Sequence, residues 1–355
     1  MIRVIVAEDS PTARALILEV LASDPDIAVI GEARTGGEVV EMTLRLHPDL
    51  ITMDIEMPGM DGLAAARQIM ERVPTPIVVV SGSTNRSDTD RSLDALAAGA
   101  LYVIDKPKHP FAPEFEDWRA QLVAAVKAMA HVKVVRRLQR GAVRTTPQSV
   151  ALEPLGEVQQ VRLVAIAAST GGPAVLQEIL RSLSPEFPAP IAIVQHIARG
   201  FSEALADWLQ QGARVRVKVA VHGEPLRAST AYLAPDDRQF GVGEGRVVLS
   251  DAAKIGSFRP SATYLFQSSA QAYGASAVAI ILTGMGADGV DGLRSVHAAG
   301  GTVYAQDEAS CVVFGMPREA IRAGVVDAVL TPSAIAHQLN RLTRRVQSAG
   351  QNSGR

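Results

Sequence analysis

Three residue types that cooperate in acyl transfer occupy matching places in the second half of the chain. Ser169 follows the apolar run Val161 to Ala168 and precedes Thr170-Gly171-Gly172-Pro173, a turn that leads into a helical pattern over residues 174–183. His196 comes just after Ile191-Ala192-Ile193-Val194, and Asp288 lies in Gly284-Met285-Gly286-Ala287-Asp288-Gly289, just after Ala277 to Leu282. A serine hydroxyl needs a base to become nucleophilic, and the base needs a carboxylate to fix its tautomer and stabilise its cation. Glycines after the serine permit a tight bend, and N–H groups at a helix start can stabilise an oxyanion. Ala167-Ala168-Ser169-Thr170-Gly171 does not match the G-x-S-x-G elbow, and the chain order Ser, His, Asp differs from the common hydrolase orders. Taken singly, each residue has a plainer reading: a serine after a strand often caps a helix, and a lone histidine is often a surface residue.

A second set is built from carboxylates. Glu8 and Asp9 follow the first apolar run, Asp54 the third, Ser81 ends the fourth, and Lys106 follows the fifth. Converging carboxylates repel one another unless a hard cation neutralises them, and an oxygen-only set with phosphate nearby suits Mg²⁺. Asp54 can then act as a nucleophile toward a phosphoryl donor, with Lys106 offsetting charge and Ser81 donating a hydrogen bond to the new phosphate. The plainer alternative, acids and serines as helix N-caps, suits Ser10 and Asp61.

These residues need parallel sheets to bring them together. From Met1 to about Lys127, short apolar runs alternate with longer helical patterns, and strands are expected at 2–7, 27–33, 49–53, 76–80 and 101–104. Runs apolar on both faces suit interior strands of a parallel sheet, so residues 1–127 read as a flavodoxin-like, doubly wound domain. Between Lys127 and Arg144 there are six basic and no acidic residues, so residues 128–160 read as a basic helix and linker. Residues 161–345 read as a second mostly parallel, doubly wound α/β domain. There Tyr232 to Pro235 and Arg246 to Leu249 flank turn-rich segments that suggest a β-hairpin insertion. The tail, 346–355, is expected to be disordered.

Composition excludes several classes. Over 355 residues, 35 basic side chains nearly balance 37 acidic ones and 47% of residues are hydrophobic, which describes a globular protein rather than a nucleic-acid-coating or disordered one. The single Cys311 cannot form an intramolecular disulfide, and no apolar run reaches membrane-spanning length; a cytoplasmic protein without direct membrane insertion is expected. Gly284, Gly286 and Gly289 match G-x-G-x-x-G with Asp307 further on, a pattern that three glycines alone satisfy.

Residues 1–127 resemble the response-regulator receiver family through Ala7-Glu8-Asp9-Ser10, Met53-Asp54-Ile55-Glu56-Met57-Pro58-Gly59, Val80-Ser81-Gly82 and Asp105-Lys106-Pro107. Residues 161 to about 343 resemble the catalytic domain of the chemotaxis protein-glutamate methylesterases. That likeness rests on Ala168-Ser169-Thr170-Gly171-Gly172-Pro173, Gln195-His196-Ile197, Tyr232 to Asp236, Arg259-Pro260-Ser261, Leu282 to Gly289 and Gln306 to Pro317. The resemblance implies that Asp54 is phosphorylated by a chemotaxis-type histidine kinase. It also implies that Ser169 attacks glutamyl methyl esters on the cytoplasmic domains of methyl-accepting chemoreceptors. His196 would be base and then acid, Asp288 its orienting carboxylate, and N–H groups near Thr170 and Met285 the oxyanion holders; glutamine deamidation is implied as well. Two positions depart from the pattern: Val103 stands where receivers carry an aromatic residue, with Tyr102 beside it, and Ala168 stands where glycine is usual. The alternative is a phosphorylation-dependent adaptor whose second domain is not catalytic.

Overall fold

The structure, a computed structural model, describes residues 1–82, 94–96, 98–107, 115–132 and 161–351. Most of the expected basic linker, from 133 to 160, lies outside the described residues, as do the last four residues of the tail.

The first domain comprises β1 (Ile2–Ala7), α1 (Pro11–Ala22), β2 (Ile27–Ala33), α2 (Gly36–Leu46), β3 (Leu50–Met53), α3 (Gly62–Arg72), β4 (Ile77–Ser81), β5 (Tyr102–Asp105) and α4 (Phe115–Met129). The strands form one parallel sheet in the order β2-β1-β3-β4-β5, each within about one residue of its expected place. All residues of β3 and β4 are buried, as runs apolar on both faces require when helices cover both sides. Ser10 caps α1 ahead of Pro11, and Asp61 caps α3, accepting from Ala64 N at 2.8 Å. The cap reading of these two residues therefore holds.

The second domain comprises β6 (Leu163–Ala168), α5 (Gly172–Ser182), β7 (Ile191–Gln195), α6 (Ser202–Gln210), β8 (Arg216–Val219), β9 (Thr230–Leu233), β10 (Gln239–Gly243) and β11 (Arg246–Ser250). It continues through α7 (Ala262–Tyr273), β12 (Ala277–Ile281), α8 (Val290–Ala298), β13 (Thr302–Gln306), α9 (Met316–Arg322), β14 (Ala328–Leu330) and α10 (Pro332–Gln351). Seven strands make a parallel sheet in the order β14-β13-β12-β6-β7-β9-β8. The chain starts at central β6, winds outward through β7, and returns to β12 on the other side, so the strand order reverses beside β6. Ligand sites in open α/β sheets form at the carboxyl ends of strands at such a point.

Two expectations need adjustment. The hairpin exists, but β10 and β11 make it, turning through Glu244 and Gly245 at φ 51° and 74°; Thr230–Leu233 joins the parallel sheet instead. Positive φ at both turn residues matches the right-handed twist of the two strands. Disorder is also expected from 346, whereas α10 runs through Gln351. Residues 341–349 are free of proline and glycine, and glycine first appears at 350, so nothing local stops the helix sooner.

Candidate active site

Parallel pairing aligns the ends of β6 and β7, with Ala168 opposite Gln195, so Ser169 and His196 are the next residues beyond a paired position. The His196 N–H donates to Ala168 O at 2.9 Å, and the Ser169 N–H donates to Thr283 O, just past β12, at 3.0 Å. Strands this close put the first side chains past their ends about 5 Å apart at the backbone. Both residues are largely buried, Ser169 at 8% exposure and the His196 side chain at 10%.

Asp288 completes the arrangement from the loop after β12. Its Oδ2 lies 2.9 Å from His196 Nε2. The carboxylate also sits on the N-terminus of α7, accepting from Ser261 Oγ at 2.7 Å, Ala262 N at 2.7 Å and Thr263 N at 3.2 Å. Burial works to raise the Asp288 pKa, but His196, Ser261 and the Ala262 N–H outweigh it and hold the carboxyl at about 2. A carboxylate ionised throughout the neutral range can only accept, so Nε2 must carry the imidazole proton. Nδ1 is then the lone-pair nitrogen; it is buried, with no partner among the described residues.

The turn after Ser169 is shaped by close approach. Gly171 has φ 78°, and a Cβ there would meet Val312 at 2.5 Å; a Cβ on Gly284 would meet Met316 Sδ at 2.4 Å and Ser169 Cβ at 2.6 Å. Ala168, at the end of β6, is fully buried in the sheet. Among the described residues, the N–H groups of Thr170 and Met285 donate to no protein acceptor, which leaves two donors beside the serine. Cys311 is no rival nucleophile at neutral pH, since burial, with Asp307 and Glu308 nearby, pushes its thiol up to about 12.

Three contributors to the site had no assigned role in the sequence reading. Ser261 reaches Asp288 across 27 positions, and Gln195 Nε2 donates to both Ser169 O and His196 O at 2.8 Å. Thr283, fully buried, donates from Oγ1 to Thr170 O at 2.8 Å and accepts from Val313 N at 3.0 Å. Gln195 and Thr283 lie at strand ends inside the resembling segments, and Ser261 shows a capping signal before α7. The G-x-G-x-x-G segment carries Asp288 within the bonded cluster.

In the first domain, Glu8, Asp54 and Lys106 meet at one sheet edge, tied to it by the bonds Glu8 N to Ala33 O, Asp54 N to Ala7 O and Lys106 N to Ser81 O. Lys106 Nζ lies 2.6 Å from Asp54 Oδ2 and 2.7 Å from Glu8 Oε2. Burial works to lower the Lys106 pKa, but Asp54 and Glu8 outweigh it and the ammonium is held above its usual value. Burial raises Glu8, and Asp54 adds to this against the pull of Lys106. Glu8 Oε2, buried, is paired with this ammonium. One oxygen each from Glu8, Asp9 and Asp54 lie within 4.8 Å of one another. Ligands on opposite sides of a small divalent cation are about 4.2 Å apart, so a modest closure fits one. Ser81 is buried at the end of β4 in register with Asp105. Val103 packs into the core, while the hydroxyl of neighbouring Tyr102 accepts from Gln121 Nε2 at 3.1 Å.

Comparison with known proteins finds a match for each half of the chain. Residues 164–339 match the CheB methylesterase family, and residues 4–112 match the response regulator receiver domain. A protein-glutamate methylesterase/protein-glutamine glutaminase of Myxococcus xanthus is 51% identical over 350 residues, covering 98% of each chain. The chain belongs to the CheB methylesterase family. A relative of the same name from Anaeromyxobacter dehalogenans is 48% identical, covering 97% of this chain and all of its own. The crystal structure of the Thermotoga maritima CheB methylesterase catalytic domain aligns over 52% of this chain and all of its own, with 39% identity and a TM-score of 0.50. A receiver of this family carries a phosphorylation site that works with a divalent metal, which is the setting of the acidic cluster around Asp54. No helix among the described residues is long and apolar enough to cross a membrane.

Proposed function

We propose that the chain hydrolyses glutamate methyl esters on chemoreceptors through Ser169, His196 and Asp288, and that phosphorylation of Asp54 increases this activity. The observation that carries the reading is the His196 ring, bonded through Nε2 to Asp288 and left with a buried, unpartnered Nδ1 beside the end of β6. His196 Nδ1 takes the proton as Ser169 Oγ attacks the ester carbonyl, and Asp288 stabilises the resulting imidazolium. The free N–H groups of Thr170 and Met285 receive the charge that develops on oxygen. The imidazolium returns its proton to the leaving methoxide, releasing methanol, and water then frees the glutamate through the same steps. A glutamine side chain follows the same course with ammonia as the leaving group.

In the receiver, Asp54 takes the phosphoryl group from a chemotaxis-type histidine kinase, Lys106 turns from Asp54 to the new phosphate, and Ser81 donates to it. Glu8, Asp9 and Asp54 would hold Mg²⁺, whose positive charge offsets that of the phosphoryl oxygens when bound. Val312 and Val313 support coupling of the two domains, since they pack against the receiver cluster containing Trp118 and Leu122 while Val313 is bonded to Thr283. The test is methanol release from methyl-labelled receptor membranes. The reading expects release by wild type and none by Ser169→Ala; equal release by both would overturn it.

A further inference from the structure

The His196 ring has a neighbour outside the triad. Phe258 lies flat against it, with ring centroids 4.1 Å apart and planes inclined by only 10°. Phe258 belongs to none of the buried hydrophobic clusters of the described residues and is itself only partly buried, so filling the core does not account for its place. It stands on an irregular segment, yet that segment is firmly held. Ile255 and Phe258 exchange both backbone hydrogen bonds at 3.1 Å. The next residue, Arg259, grips Asp237 Oδ1 through Nε at 2.8 Å. Asp237 also pairs with Arg199, and adjacent Asp236 accepts from Gly200 N at 3.0 Å and Ser202 Oγ at 2.7 Å. Arg199, Gly200 and Ser202 follow His196 along the chain, so both segments flanking the stacked rings are fastened to one pair of aspartates.

We propose that Phe258 is a positioning residue for the reaction: it fixes the plane of the His196 imidazole and shields one face from water. This rests on the triad reading. A single bond from Nε2 to Asp288 anchors one edge of the ring and leaves rotation about that edge open. A flat aromatic surface closes that freedom without engaging Nδ1, whose lone pair must remain available to the Ser169 hydroxyl. Small misplacements of a catalytic group can cost about 10²-fold in rate. The face of an aromatic ring also attracts the imidazolium that forms during the reaction.

The test uses the full chain and methyl-labelled receptor membranes. Phe258→Leu is expected to lower kcat by roughly 10- to 100-fold with KM within about two-fold, while Phe258→Tyr and Phe258→Trp, which keep a flat ring, recover most of the rate. NMR relaxation of the His196 ring should show a fixed ring plane in wild type and in Phe258→Tyr, and added ring motion in Phe258→Leu, with the Nε2–H tautomer kept in all three. Wild-type kcat in Phe258→Leu overturns the proposal, as does a loss in Phe258→Tyr equal to that in Phe258→Leu. Loss of the folded state in both Phe258→Leu and Phe258→Met also overturns it, in favour of a structural role. If Ser169→Ala is fully active, the triad reading itself has failed; if Ser169→Ala is inactive while Phe258→Leu is unimpaired, only the role of Phe258 has.

Discussion

Asp288 bonds His196 through Nε2, at 2.9 Å, and the same carboxylate is fixed by the Ser261 hydroxyl and two backbone N–H groups of α7. Orientation of the His196 ring therefore rests on a carboxylate held at a helix terminus. Asp288→Asn should preserve the bonding distance but present an amide in place of a pure acceptor, favouring the wrong imidazole tautomer. A fall in kcat of about 10⁴-fold is expected, as in serine triads with the same change. Steady-state methanol release checks it, and a loss under about ten-fold would mean that Asp288 does not set the tautomer.

The same carboxylate links acidity to stability. Its pKa is held at about 2 in the folded protein against 3.8 ordinarily, so the native state gains stability above pH 4. That gain is lost as the pH falls from about 4 toward 2, because the unfolded chain takes up the proton first. The contribution at neutral pH is on the order of 2 kcal/mol. Urea midpoints at pH 7 and pH 3 should therefore differ more for wild type than for Asp288→Asn. Parallel pH dependence in the two proteins would contradict the assignment.

Gly284 leaves no room for a side chain beside Ser169. Gly284→Ala places a methyl 2.6 Å from Ser169 Cβ and 2.4 Å from Met316 Sδ. Overpacking of this kind costs about 1–3 kcal/mol, and here the strain falls on the serine turn. The expected result is a folded protein with a lower melting temperature and at least about ten-fold lower kcat, a loss consistent with a misplaced nucleophile. Calorimetry and methanol release together check it.

Much of this was legible because parallel strands announce themselves. Runs such as Ile77 to Val80 and Ala277 to Leu282 are apolar on both faces, and the chemistry-bearing residues stand immediately past such runs. Placing strand ends to within a residue was enough to bring Ser169 beside His196 and Glu8 beside Asp54. The supporting residues were harder to see. Ser261 is visible as a helix cap, but no local pattern says that its hydroxyl meets an acid 27 residues away. Phe258 stands in a turn with no periodicity, so its stacking on His196 emerges only from tertiary contact. Only the first strand of the hairpin differs from expectation, because Thr230–Leu233, buried throughout, is an interior strand of the main sheet.

In the receiver, Lys106 bridges Asp54 and Glu8. Lys106→Ala removes the cation proposed to turn to the phosphate, so phosphoryl uptake from a small acyl-phosphate donor should fall, and the donor should no longer raise esterase activity. Chelating divalent metal in the wild-type protein should likewise abolish uptake, because Glu8, Asp9 and Asp54 would then face the donor without a neutralising cation. Radiolabel retained on the protein checks both, and undiminished uptake after chelation would contradict the metal's role.

The most direct measurement compares methanol release from methyl-labelled receptor membranes by wild type, Ser169→Ala and Asp54→Asn, with and without an acyl-phosphate donor and Mg²⁺. The account predicts release by wild type that rises with the donor, none by Ser169→Ala, and release by Asp54→Asn that the donor leaves unchanged. Phosphate uptake at Asp54 without methanol release by wild type on any receptor would contradict it, and would favour a phosphorylation-dependent adaptor instead.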